Sequence, residues 1–318
     1  MDDMRVLILG GTAFLGRAIA AETVRRGHDV TCAARGSGDA PARLVKIDRD
    51  DETGLSPLAG EHFDAVVDLA KISYPHVKRA VEAIGTDHWT FVSSISAYAE
   101  HHTGTIDDPL LAPVYGENEA ADYGGIKVAS ENAVRDVHGD KAFIVRAGLI
   151  GGAGDMSDRY GYWPARLSGT GRVVVPDSPD QSTHCVDVED LAAWIVTGVE
   201  GRLGGTYNAA GPPVPLGQLL PSIVSAVGGD VELVPVAEEK LTELGVEAWA
   251  GPKSLPLWVP GYHLLTRNWD VQPAVDAGLR FRPDAAEAAL AYERALGLDR
   301  PRRAGLTLAE EAEVLSSI

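Results

Sequence analysis

The run Arg5 to Leu9 (RVLIL) leads without a break into Gly10-Gly11-Thr12-Ala13-Phe14-Leu15-Gly16, and Phe14 to Arg26 then keeps a helical rhythm closed by Gly27. A strand that is apolar throughout is one buried on both faces, the habit of parallel sheets. The connection itself constrains the fold further. Gly10 allows the tight turn, and Gly16 allows the helix to pack close on the strand. Backbone N–H groups near Phe14 and Leu15 then sit at the positive end of a helix without intrahelical acceptors, where an anion such as a pyrophosphate is stabilised. Thr12 belongs to the same turn. Ala13 stands where a G-x-x-G-x-x-G pattern has its middle glycine, and its methyl group should push a pyrophosphate outward slightly without abolishing the site. The stretch therefore predicts a dinucleotide-binding turn.

The rest of the first half repeats the strand–helix alternation expected of βαβ units. Strands are predicted at Asp29–Ala33, Leu44–Ile47, Ala65–Leu69, Trp89–Val92 and Ala142–Val145, with helices at His76–Ile84 and Tyr123–Val137. After Arg146 the rhythm changes to a Gly151-Gly152-Ala153-Gly154-Asp155 loop and frequent Pro and Trp, although Asp187–Val199 and Thr206–Ala209 read as one more helix and strand of the core. The fold class is α/β: a doubly wound parallel sheet with a smaller C-terminal lobe. The boundaries expected are 1–150 for the nucleotide-binding domain, with 183–210 returning to it, and 151–182 with 211–318 for the lobe.

Two further stretches carry chemistry. Ser93-Ser94 follows the apolar Phe91-Val92, at the carboxyl end of a strand, where open α/β sheets bind ligands. The Ser94 hydroxyl can hydrogen-bond a carbonyl or alkoxide oxygen there. Tyr123-Gly124-Gly125-Ile126-Lys127 then places a phenol and an ammonium four residues apart, on one helix face. An ammonium beside a phenol stabilises the phenolate and suits the pair to acid/base work. The same spacing recurs in Tyr74-Pro75-His76-Val77-Lys78, but that copy precedes the serine strand and carries a proline, so it is expected to be a decoy.

The end of the second strand bears on cofactor choice. NAD enzymes usually place a carboxylate about 20 residues past the glycine turn to hold the adenosine ribose. Here the region reads Ala33-Ala34-Arg35-Gly36, and a guanidinium suits a 2′-phosphate. NADP is favoured over NAD.

Composition excludes other classes. The 318 residues carry a formal net charge of −18, which argues against nucleic acid or an anionic membrane surface as partner. The two cysteines, Cys32 and Cys185, suggest a reducing compartment without a disulfide framework. With no signal-peptide pattern and no membrane-length apolar run, a cytoplasmic protein acting on a small molecule is expected. His101-His102 has no spaced partner, so no metal site is expected, and Cys185 beside His184 reads as a packing cysteine.

Taken together, GGTAFLG, FVSSISAY, YGGIK and RAGLIGGAGD resemble the extended short-chain dehydrogenase/reductase family, in its NAD(P)-dependent epimerase/dehydratase branch. The likeness covers about the first 155 residues and the stretch Thr183 to Ala192. It implies a Rossmann-type core, a nicotinamide cofactor, possession of a catalytic set at Ser94, Tyr123 and Lys127, and a homodimer by family habit. It also implies that Lys127 holds the nicotinamide ribose, that Asp48 approaches the adenine and that Leu69-Ala70 lines the cofactor groove. Departures from the family pattern narrow the chemistry. Ile95 and Ser96 replace the acid pair of sugar dehydratases, and Leu149 replaces an asparagine that touches a substrate diphosphate. Ser96, Arg159, Tyr162, Trp163 and Arg166 are candidates for substrate contact.

The expectation is a reductase moving hydride between a nicotinamide and a carbonyl or secondary alcohol. The alternatives are an epimerase that oxidises and re-reduces one carbon, and a cofactor-binding sensor or scaffold with vestigial catalysis.

Overall fold

The computed structural model describes residues 3–36, 40–100, 102–117, 120–261, 267–283, 286, 289–291, 294, 297 and 301–318. The chain divides into two compact units, one of 1–148, 188–210 and 269–280, the other of 149–187, 211–268 and 281–318.

The first unit is built on seven strands: β1 (Arg5–Leu9), β2 (Asp29–Ala34), β3 (Arg43–Lys46), β4 (Ala65–Asp68), β5 (Trp89–Ser94), β6 (Phe143–Ala147) and β7 (Gly205–Ala209). They form one sheet in the order β7-β6-β5-β4-β1-β2-β3, every neighbouring pair parallel. All residues of β4, β5 and β6 are buried, the mostly apolar ones together with Asp68, Thr90, Ser93, Ser94 and Arg146, as expected for strands covered on both faces. Each buried Val, Leu, Ile or Phe contributes roughly 1.5–3 kcal/mol relative to an exposed one. The chain reverses its winding between β1 and β4, and such a switch point opens a crevice at the carboxyl ends of the strands.

Four helices flank this sheet: α1 (Phe14–Arg25), α2 (Tyr74–Ala83), α3 (Tyr123–His138) and α4 (Val188–Glu200), with α1 packed on α4 and α2 on α3. Helix α1 buries Leu15, Gly16, Ile19, Ala20 and Thr23, one stripe at helical spacing. It stops where Gly27 adopts φ +94°, a conformation that suits glycine. Helix α2 starts at Ser73, whose Oγ accepts the His76 N–H at 3.3 Å, and Pro75 stands in its first turn.

The second unit has its own core, in which Trp163, Leu167, Val173, Leu220, Trp258 and Leu306 are buried together. Thr170–Pro176 pairs in parallel with Asp230–Val236, and Leu149–Gly151 with Cys185–Asp187. That second pairing places 183–187 in this unit, although the sequence pattern carried it with the core. Conversely, 269–280 lies in the first unit. Trp269 stacks on Tyr98 with ring centroids 4.5 Å apart, and the Trp194 indole N–H donates to Ala277 O at 3.1 Å. Among the described residues, no helix is long and apolar enough to cross a membrane.

Candidate active site

The glycine turn closes as tightly as covalent geometry allows. Gly10 has φ +98°, and a Cβ on Gly16 would overlap the carbonyl oxygen of Gly10. Phe14, which heads α1, is held at φ +29°, a strained conformation for an L side chain that costs roughly 1–3 kcal/mol. Leu15 and Gly16 are buried beneath the turn, while Ala13 is exposed.

In front of it lies a cleft of about 670 Å³ at the carboxyl ends of β1, β2 and β4. Of the residues singled out in the sequence, Gly10, Thr12, Ala13, Arg35, Asp48, Leu69 and Ala70 line it. Phe14, Leu15 and Gly16 form the turn and helix head behind it. Arg35 is 76% exposed at the side chain, and its Nη1 lies 3.5 Å from Asp50 Oδ2.

The cleft also has walls the sequence reading missed. Arg49 spans its floor, donating from Nη1 and Nη2 to the two oxygens of Asp68 at 2.6 and 2.9 Å, and from Nη2 to His76 O at 2.5 Å. Asp68 is fully buried at the end of β4 and also accepts the Ala70 N–H at 2.9 Å. His76 Nε2 lies 2.9 Å from Asp50 and 3.8 Å from Glu117. These three could together ligate a small cation, their ligand atoms all falling within 4.8 Å of one another. Burial, reinforced by Arg49, pushes the His76 pKa down, so its neutral form lies between the two acids near neutral pH. The signal for Asp68 was visible as a lone carboxylate ending an apolar run, but its partner lies 19 residues away.

Lys127 joins this cleft to the Ser/Tyr pair. Only 4% exposed, it donates from Nζ to Ala70 O at 2.7 Å and Val92 O at 2.8 Å. Its Nζ lies 5.8 Å from the centre of the Tyr123 ring and 4.8 Å from that of Phe91. Burial pulls the ammonium pKa down to about 8, against the opposing pull of Asp68 and Glu131. Ser94 ends β5, and its Oγ accepts the Ser96 N–H at 3.1 Å, leaving the hydroxyl hydrogen free to point elsewhere. Tyr123 is the half-buried first residue of α3. Its neighbour Gly124 packs so near that a Cβ would overlap Ser96 O, which brings the head of α3 against the Ser94–Ser96 segment. In the other Tyr-x-x-x-Lys copy, Tyr74 packs edge-on against Tyr115, and Lys78 is exposed.

The candidates for substrate contact beyond the sheet belong to the second unit. Trp163 is not on a surface: it is 0% exposed, and its indole N–H donates to Pro256 O at 2.8 Å. Tyr162 is likewise buried. Arg166 pairs with Glu311 at 2.7 Å and borders a separate cavity of about 460 Å³. Arg159 donates to Ser157 Oγ at 3.1 Å and lies over the Trp249 ring. Ser96 is half-buried. Both cysteines are free, and burial pushes the Cys185 thiol pKa far above its usual value. His102 Nε2 lies 2.8 Å from Glu100, and His101 falls outside the described residues.

Comparison with known proteins agrees with this geometry. Residues 6–83 match the model of the NAD dependent epimerase/dehydratase family. The chain is 26% identical over 258 residues to a 2′-dehydrokanamycin reductase of Streptomyces kanamyceticus, covering 76% of this chain and 72% of that protein. It is 29% identical over 170 residues to a dTDP-6-deoxy-L-talose 4-dehydrogenase (NAD(P)(+)) of Kitasatospora kifunensis, covering 47% of this chain and 54% of that protein. Its fold resembles the UDP-glucose-4-epimerase of Stenotrophomonas maltophila with bound NAD, with a TM-score of 0.67, 16% identity, and 93% of this chain and 100% of the other covered. A parallel sheet in this strand order and a glycine turn facing a cleft accord with these likenesses: over residues 6–83 the chain resembles the NAD dependent epimerase/dehydratase family, and it is similar in sequence to a reductase and a dehydrogenase and in fold to an epimerase.

Proposed function

We propose that the protein is a reductase that takes hydride from reduced NADP and delivers it to the carbonyl carbon of a small ketone, with Ser94, Tyr123 and Lys127 as the catalytic set. The residues fit a dinucleotide. Only glycine fits at Gly16, the first-turn N–H groups of α1 offer donors to a pyrophosphate, and the cleft continues past Asp48 toward Arg35. Thr12, Ala13, Phe14 and Leu15 complete the phosphate cradle, and Leu69 and Ala70 line the groove leading to Lys127.

When bound, the reduced nicotinamide supplies the hydride. The protein's own residues handle the oxygen. The Ser94 hydroxyl orients the carbonyl, and the Tyr123 phenol delivers a proton to the oxygen as negative charge develops there. The nearby Lys127 ammonium stabilises the phenolate left behind. The observation that carries this reading is the position of Lys127, which bonds to a cleft-lining residue on one side and lies beside Tyr123 on the other.

Arg35 supports the preference for NADP: it directly follows β2 in a stretch without a carboxylate, and its guanidinium is open to solvent beside the cleft. Two free thiols fit a reducing compartment, the cytoplasm. Ser96, beside Ser94 in the first unit, is the residue we assign to substrate contact. Arg166 is engaged by Glu311, and Trp163 shapes the core beneath. Leu149 is buried in that core, which favours a ketone without a nucleotide diphosphate.

The deciding experiment is Tyr123→Phe. The variant should bind NADPH as the unaltered protein does and lose reduction by on the order of 10²–10⁴-fold. Unchanged turnover would overturn the assignment. Isomerised product without net NADPH consumption by the unaltered protein would make it an epimerase.

A further inference from the structure

Lys127 poses an energetic problem that the catalytic set does not solve. Its ammonium is buried, yet among the described residues its Nζ donates to neutral carbonyls, Ala70 O and Val92 O. A buried ammonium without a compensating charge gives up its proton.

Two carboxylates stand on either side, both fully buried. Asp68 ends β4 and is held bidentately by Arg49. Glu131 lies one turn beyond Lys127 on α3 and is held by Arg146, Nε to Oε1 at 3.0 Å and Nη2 to Oε2 at 2.8 Å, with Arg135 Nη2 at 2.9 Å from Oε2. Each carboxylate also grips the backbone on which the ammonium depends. Asp68 accepts the N–H of Ala70, whose carbonyl Lys127 uses. Glu131 accepts the Ser93 hydroxyl at 2.5 Å, between Val92, whose carbonyl Lys127 uses, and Ser94. Sheet register supports the second grip, because Ser93 lies directly opposite Arg146 across β5 and β6.

We propose that Asp68 and Glu131 are positioning residues for the reductase, each keeping Lys127 charged from a distance while fixing one of the two strand ends that aim it. This rests on the catalytic reading of Lys127 given above. Their arginines prevent either acid from swinging onto the ammonium and capturing it, which leaves the Lys127 charge available to Tyr123. The charges facing Lys127 are Asp68 and Glu131 in favour of the ammonium, and Arg49 and Lys71 against it.

The test separates charge from activity. Lysine side-chain NMR, with Lys127→Met to assign the signal, reads the titration of Lys127 in the cofactor-free protein. Asp68→Asn should move that titration to lower pH by about one unit. The alkaline limb of kcat/KM should move with it, because the protonated amine is the working form. Asp68→Glu, which keeps the charge, should restore both. Glu131→Gln should act in the same direction, with Glu131→Asp as its rescue should the amide fail to fold. An unmoved titration in a folded Asp68→Asn protein overturns the proposal. A titration that moves while the kinetic limb stays put supports the electrostatics and instead removes Lys127 from the catalytic set.

Discussion

The α-carbon of Gly16 faces the carbonyl oxygen of Gly10 so closely that no side-chain carbon can be placed between them. The head of α1 therefore rests directly on the end of β1, behind the cleft that Gly10, Thr12 and Ala13 line. Gly16→Ala should force the helix away from the strand, costing roughly 1–3 kcal/mol of stability through overpacking. NADPH affinity should fall at least tenfold, read by fluorescence titration alongside a melting curve. Normal affinity would mean that the turn is not the phosphate cradle.

Arg35 lies at the far end of the same cleft, with its guanidinium largely in solvent and 3.5 Å from Asp50. Arg35→Ala should weaken NADPH binding by about tenfold, as expected for one lost charge-assisted contact, and leave NADH nearly unchanged. Dissociation constants for both cofactors settle the matter, and equal losses would defeat the NADP preference.

The pH dependence of the unaltered protein follows from Lys127. Its pKa is drawn down to about 8 by burial, so the ammonium is present below that value and lost above it. Turnover at saturating substrate should decline as pH rises through about 8. A profile flat to pH 10, in a protein that still binds cofactor there, would show that the charge on Lys127 does not matter.

Glu311 gives a test confined to the second unit. One of its oxygens accepts the Val174 N–H at 3.1 Å, and the other accepts Arg166 Nε at 2.8 Å. Glu311→Ala leaves a largely buried guanidinium unpaired and should destabilise that unit by about 3–5 kcal/mol. Cofactor affinity should be unaffected, since the cleft is lined by the first unit alone. Calorimetry and a cofactor titration on the same sample would check both halves of this expectation.

Much of the fold around the candidate site was legible because its signals are local. A strand buried on both faces is mostly apolar along its length rather than alternating, so VLIL, AVV and FV announce a parallel sheet. Helix geometry alone puts Tyr123 and Lys127 on one face, and the tight turn alone demands Gly10 and Gly16. These features are decided by residues within a few positions of one another.

What tertiary structure alone decided is pairing at a distance. Arg49 and Asp68, Glu131 and Arg146, and Arg166 and Glu311 meet through sheet order and packing, and neither member of a pair names its partner. The same holds for the division of the chain. Residues 269–280 join the first unit because Trp269 finds the Tyr98 ring, and Trp163 reads like a pocket residue until packing encloses it. Local chemistry specifies backbone shape and marks the candidate site residues. The electrostatic environment of those residues exists only once remote strands and helices have been brought together.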